Sequence, residues 1–182
     1  LKDSPYSPFY AVYHPQDSWD QFIQQYKSRL PVILKSPVSN GSKDVLLVES
    51  SNAFKSGLKG LLKKYPNTPV LLEEYLIGSQ YLIEVMVCQS KLSIVAVIEQ
   101  EIINDGRFIV VGYRYPAELE IEEFQKLEVS VSSIIKQIGL EHGICHFEMR
   151  LSEENWKLIE INPRVSGGAM NSIIIEGTGI NY

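Results

Sequence analysis

Four residues near the end of the sequence have types and spacing suited to holding a cation beside an anion. In LIEINPR (158–164), Glu160, Asn162 and Arg164 alternate with Ile161 and Pro163. An extended chain projects alternate side chains from one face, so the acid, the amide and the guanidinium share a side. Glu148 stands twelve residues before Glu160, in ICHFEMRL (144–151), and the two segments flank Ser-Glu-Glu-Asn as a β-hairpin would. With Glu154 at the centre of the turn, Met149 pairs with Ile159 and Phe147 with Ile161. Leu151 then faces the stem of Lys157, Cys145 joins the same apolar side, and the register selects an odd-numbered loop. Glu148 becomes the direct neighbour of Glu160, with Cβ atoms about 4.5–5.5 Å apart. His146 falls opposite Asn162, and Arg150 opposite Leu158. Like charges directly opposed destabilise a sheet unless they are neutralised. Two readings stay open on this geometry: a polar face whose acids point into water, or a divalent cation site. Magnesium typically takes one or two carboxylates, with phosphates and water completing its shell.

The elements that must carry these residues follow from periodicity and punctuation. PYSPFYAVYH reads as a short strand. Ser18, with Gln21 three residues on, starts a helix bearing Trp19, Phe22, Ile23 and Tyr26 at helical spacing. PVILK (31–35) and VLLVE (45–49) read as strands around the polar loop SPVSNGSKD. A helix over about Asn52–Lys64 presents Phe54, Leu58, Leu61 and Leu62 and ends at Tyr65-Pro66. VLLEEYLI (70–77) is a strand running into a connection. YLIEVMVC (81–88) and KLSIVAVIEQ (91–100) form a hairpin around Gln89-Ser90, and IINDGRFIVVGYRYP adds a turn and a strand. The longest helix is expected over Glu118–Ile138, with Ile121, Phe124, Leu127, Val131, Ile134, Ile135 and Ile138 as its apolar stripe and Gly139 just beyond. A terminal helix opens at Gly167-Gly168. Mixed helices and antiparallel hairpins make the class α+β.

Composition narrows the function. The 182 residues suffice for one large domain or two small subdomains. Hydrophobic residues make up 45% and charged residues 21%, an ordinary globular balance. A net charge of −5 argues against nucleic acid as a partner. The sequence has neither an apolar run of roughly 20 residues nor a secretory leader, so a cytoplasmic protein without membrane contact is expected. Cys88 and Cys145 read as buried free thiols. A start without Met and an end at GTGINY suggest a piece of a longer polypeptide.

Glu148 followed by Glu160-x-Asn162-x-Arg164 resembles the signature of the ATP-grasp superfamily. The flanking HFE and EINPRVSGG are most similar to its carboxylate–amine ligase branch, which includes L-amino acid ligases and resembles carbamoyl-phosphate-synthase-like domains. The resemblance implies two α+β subdomains, 1–75 and 76–182, gripping ATP between antiparallel sheets, with an N-terminal α/β domain and a C-terminal continuation outside this chain. It implies Mg2+, with Mn2+ as the alternative, on Glu148, Glu160 and Asn162. Arg164 would hold an acyl phosphate or the tetrahedral species formed from it, with Asn162 and His146 beside it on the substrate side. EEYLIGSQ (73–80) looks like the adenine hinge: Glu73 and Leu76 would bond the base, with Glu74 and Tyr75 between them. Gln80 stands where a ribose-binding glutamate is usual. VILKSPVSNGSKDVLLV resembles the family's lysine strand and phosphate loop, with Lys35 on the α/β phosphates and Ser42 and Lys43 closing over the γ-phosphate. The implied partners are a small carboxylate and an amine, and homodimers are common in such enzymes. The expected activity is an ATP-dependent ligase forming a C–N bond. The alternatives are a biotin-carboxylase-like enzyme acting on bicarbonate and a nucleotide-binding module without catalysis.

Overall fold

Side-chain caps and tight turns set most element boundaries in the computed structural model, which describes residue 1 and residues 4–39 and 41–180. Lys2, Asp3, Asn40, Asn181 and Tyr182 lie outside the described residues, Asn40 within the loop expected after Lys35. Strand β1 (Tyr10–Tyr13) precedes α1 (Trp19–Tyr26), whose first turn is closed by the Ser18 hydroxyl accepting from the Gln21 N–H. Next come β2 (Val32–Lys35), β3 (Val45–Val48) and α2 (Ser51–Lys64), the last capped by Ser50. β4 (Val70–Glu74), β5 (Ser79–Cys88), β6 (Lys91–Asn104) and β7 (Phe108–Arg114) follow. The chain ends with α3 (Ile121–Ile138), β8 (Gly143–Ser152), β9 (Asn155–Asn162) and α4 (Met170–Thr178).

The chain divides into two compact units. One comprises Phe9–Tyr75 with Ile103–Ile109. Its sheet has the order β1-β4-β2-β3, every pair antiparallel, so β4 enters between strands that precede it in sequence. Val32, Leu34, Val70 and Leu72 alternate onto a core completed by Phe22 and Ile23 of α1 and Phe54, Leu58 and Leu61 of α2. The opposite face carries Ile33, Lys35, Leu71 and Glu73, all half-buried.

The other unit comprises Leu1–Pro8, Leu76–Ile102 and Val110–Tyr182. Its sheet, β7-β6-β5-β8-β9, carries two cores. On one face Tyr81, Ile83, Val85, Phe147 and Met149 pack with Leu127, Val131, Ile134 and Ile135 of α3. On the other, Leu82, Ala96 and Ile98 pack with Met170 and Ile174 of α4. Pro5 and Tyr6 lie along β9, where the Tyr6 carbonyl accepts from the Leu158 N–H at 2.7 Å. An otherwise open sheet edge is covered there.

Four expectations are corrected. The PYSPFYAVYH strand contracts to Tyr10–Tyr13. Helix α3 starts at Ile121 rather than Glu118, because Glu123 reaches back to accept from the Glu120 N–H and fixes the first turn there. Ile121, Phe124 and Ile138 are exposed, since the core takes only the middle turns of the stripe. Cys88 is also exposed, at the last position of β5, whereas Cys145 is buried and its thiol is pushed up by that burial.

Candidate functional site

The hairpin of β8 and β9 keeps the expected pairing where the chemistry lies and departs from it near the turn. Glu148 is paired with Glu160, His146 with Asn162 and Phe147 with Ile161. Beyond Glu148 the register shifts, so that Met149 faces Leu158, Arg150 faces Lys157 and Leu151 faces Trp156. The turn is not odd-numbered. Glu153 and Glu154 form a two-residue loop, both with positive φ (48° and 63°), the backbone of a tight hairpin turn. The deciding residue is Trp156. It is buried edge-on against Tyr81, at 5.0 Å between ring centroids, and its indole N–H donates to the Glu123 carbonyl. Burying so large a side chain outweighs the Met149–Ile159 match.

The extra residue, Ile159, forms a β-bulge. Counting by twos from Trp156 and Leu158, both buried, would carry Glu160 into the core. The bulge reverses the alternation, so Ile161 faces the α3 core while Glu160 and Asn162 emerge on the other side.

On that second face the strand pairings arrange polar side chains in rows. Gln100, Gln80 and Arg150 form one, and Glu148 and Glu160 extend the next. Glu84, His146 and Asn162 form the third. Arg150 donates to the Leu76 carbonyl at 2.8 Å and to Gln80 Oε1 at 2.7 Å. Gln80 Nε2 donates to Gln100 at 2.9 Å and to Glu148 Oε2 at 3.2 Å. His146 Nδ1 lies 2.7 Å from Glu84 Oε1, and its Nε2 lies 3.8 Å from Glu148 Oε1. Burial works against a charge on His146, but Glu148 and Glu84 outweigh it and hold the imidazole at about 9. Asn162 Nδ2 donates to Glu160 Oε1 at 2.8 Å. Arg164 is exposed and folds onto the Val165 carbonyl at 2.8 Å. Gly78, at the entry to β5, has a φ of 138° and lies so close to Leu151 that a Cβ would collide with its carbonyl oxygen. Only glycine lets the connection pass there.

The donor set fits a hard cation. Among the described residues no group of three or more His, Cys, Asp or Glu side chains is placed to hold a metal by itself. Two carboxylates and an amide on one face would instead share an ion with phosphate oxygens and water, which is magnesium's habit.

The residues associated above with the base and phosphates are less uniformly held. Lys35 Nζ is 2.7 Å from Glu73 Oε2, both side chains about one-fifth exposed. Glu74 accepts from the Phe9 N–H at 3.0 Å, tying its carboxylate to the end of β1. Tyr75 is half-buried and Leu76 buried. Ser42 and Lys43 are exposed in the loop, where Gly41 and Ser42 both adopt positive φ (66° and 56°). The loop ends on Asp44, which accepts from Lys64 at 2.7 and 2.8 Å and from the Tyr65 hydroxyl at 2.8 Å. Hydrogen bonds from Lys64, Ser39 and Tyr65 hold its carboxyl at about 2, below the ordinary value of 3.8.

Glu84 escaped the sequence reading. It is fully buried on the face that carries Glu148. Its signal was an acid at an even position of YLIEVMVC, meaningful only once β5 is known to pair with β8 rather than with β6 alone.

The ATP-grasp domain model matches residues 28–173, and the chain belongs to that family. The family binds ATP with Mg2+. A relative, dapdiamide A synthase of Enterobacter agglomerans, is 26% identical over 154 residues, 82% of this chain and 36% of its own length. The carbamoyl phosphate synthase large chain of Rhodopirellula baltica is 29% identical over 145 residues, 75% of this chain and 13% of that protein. The chain thus spans about a third or less of these relatives. The solved structure of an L-amino acid ligase from Bacillus licheniformis superposes with a TM-score of 0.74 at 21% identity, covering 96% of this chain and 41% of the other. That likeness establishes the α+β ATP-grasp fold. No helix among the described residues is long and apolar enough to cross a membrane.

Proposed function

We propose that this chain forms the nucleotide-binding part of an ATP- and Mg2+-dependent ligase that activates a carboxylate as its acyl phosphate for attack by an amine. One observation carries the reading: Glu148 and Glu160 are direct partners across β8 and β9, with Asn162 on the same face. The likeness to an L-amino acid ligase supports an amino acid as acid or amine.

A carboxylate oxygen of the substrate attacks the γ-phosphorus, the bond to the bridging oxygen breaks, and ADP leaves with that electron pair. The amine nitrogen then attacks the acyl carbon, loses a proton, and inorganic phosphate departs. Positioning and electrostatics supply most of the rate in such transfers. Magnesium, when bound, would neutralise phosphate charge. Glu148, Glu160 and Asn162 would hold it by their oxygens. Lys35 would exchange Glu73 for phosphate, while Ser42 and Lys43 would bind the γ-phosphate from their loop. Glu73, Glu74, Tyr75 and the Leu76 backbone would meet the base, and Gln80 the ribose. Arg164, exposed beside the Gly167-Gly168 turn, would pair with the acyl phosphate, and His146 would stand on the substrate side.

Incubating the full-length protein with ATP, Mg2+ and amino acids in pairs tests this. Phosphate release that requires an amino acid, with a condensed product by mass spectrometry, is the expected result. ADP formation only with bicarbonate would assign a carboxylase instead, and nucleotide binding without turnover a non-catalytic module.

A further inference from the structure

We propose that Glu84 is a positioning residue that fixes the Glu148 carboxylate through His146, an inference that rests on Glu148 being a magnesium ligand. Glu84 is fully buried, on the sheet face it shares with Leu82 and Glu148. A buried ion pair can often be replaced by well-packed apolar side chains of similar volume without loss, whereas removing one partner is strongly destabilising. What the arrangement does supply is orientation. Glu84 is the direct β5 neighbour of His146 on β8, and the 2.7 Å contact at Nδ1 fixes the ring plane. The other ring nitrogen is thereby turned toward Glu148 Oε1, 3.8 Å away.

The placement of Glu84 has its own local device. The β5–β6 ladder shifts register between Glu84 and Val85, leaving Val95 of β6 as an extra residue, while the β5–β8 ladder stays regular across the same stretch. Bulges of this kind bend a strand and re-aim neighbouring side chains. Because Gln80 donates to Glu148 Oε2, both oxygens of that carboxylate face a neighbouring side chain. Groups that orient a metal ligand from outside its first contacts typically contribute 10–100-fold in metal affinity.

The test is the Mg2+ dependence of binding of a non-hydrolysable ATP analogue, measured by calorimetry on the full-length protein. Glu84→Met, His146→Leu and the double variant should each raise the Mg2+ concentration at half-saturation about 10-fold or more. The double should be no worse than His146→Leu alone, because the path from Glu84 to Glu148 runs through the ring. Glu84→Gln, which keeps an oxygen for Nδ1–H, should fall between wild type and Glu84→Met. The double variant replaces the pair by apolar groups of similar size and keeps the test available where a single variant fails to fold. An unchanged Mg2+ requirement in Glu84→Met or in the double, or single effects that add, would overturn the positioning role. Absence of Mg2+-dependent nucleotide binding in the wild type would instead overturn the nucleotide reading on which it rests.

Discussion

The acidic face of the β8–β9 hairpin and the loop after Lys35 are both assigned to nucleotide phosphates, yet they are built in opposite ways. On the hairpin face every acid is tied in: Glu148 by Gln80 and His146, Glu160 by Asn162, Glu84 by His146. In the loop, Ser42 and Lys43 are exposed, and the strong anchor lies at the end, where Asp44 holds Lys64 and Tyr65. A cation needs several oxygens held at fixed separation, which strands in register provide. A γ-phosphate must arrive and leave, which suits groups on a segment anchored at its ends. The difference predicts that changes on the hairpin alter metal affinity and stability together, whereas changes at the exposed Ser42 and Lys43 alter turnover with little effect on stability.

The largest effect should come from Trp156→Ala, because burial of Trp156 sets the hairpin register. It should lower the unfolding free energy by about 3–5 kcal/mol, seen in urea titration. A loss of less than about 1 kcal/mol would remove Trp156 as the reason for the register shift. Next in size, Glu160→Gln should reduce Mg2+-dependent ATP turnover by at least about 100-fold with the fold retained. Turnover at the wild-type rate would sink the metal assignment. Lys35→Met should weaken nucleotide binding by about 10-fold, with a smaller change in thermal midpoint than Trp156→Ala. Equal midpoint losses would erase the contrast between the regions.

The smallest effect is one of pH. The Asp44 carboxyl is held below its ordinary value in the folded chain, so its contribution to stability is complete above pH 4 and is lost as pH falls toward 2. Asp44→Asn should lower the urea midpoint at pH 7, where the Asp44 contribution is complete, and flatten its fall across that window, so that variant and wild type converge toward pH 2. An identical fall in wild type and variant would mean that Asp44 does not anchor the loop end.

Much of this was legible in the sequence because it is local. Ser18 caps its helix, Gln89-Ser90 turns its hairpin, and Glu148 meets Glu160 as expected, although a bulge at Ile159 rather than an odd-numbered loop sets that pairing. What escaped depends on distant partners. Nothing near β4 says that it enters between β1 and β2. Nothing in SEENWKLIEIN says that burying Trp156 will outweigh Ile159, although that competition creates the bulge. Glu84 looked like one acid in an apolar strand until β8 was laid beside it. The acids were readable as a pair; the network that holds them was not.

The most direct test of the central claim is a crystal of the full-length protein grown with Mn2+ and a non-hydrolysable ATP analogue, with the ion located by its anomalous signal. The account predicts one ion roughly 2.1 Å from oxygens of Glu148, Glu160 and Asn162 and from the analogue's phosphates. An ion bound to the phosphates with both carboxylates more than about 4 Å away would contradict it.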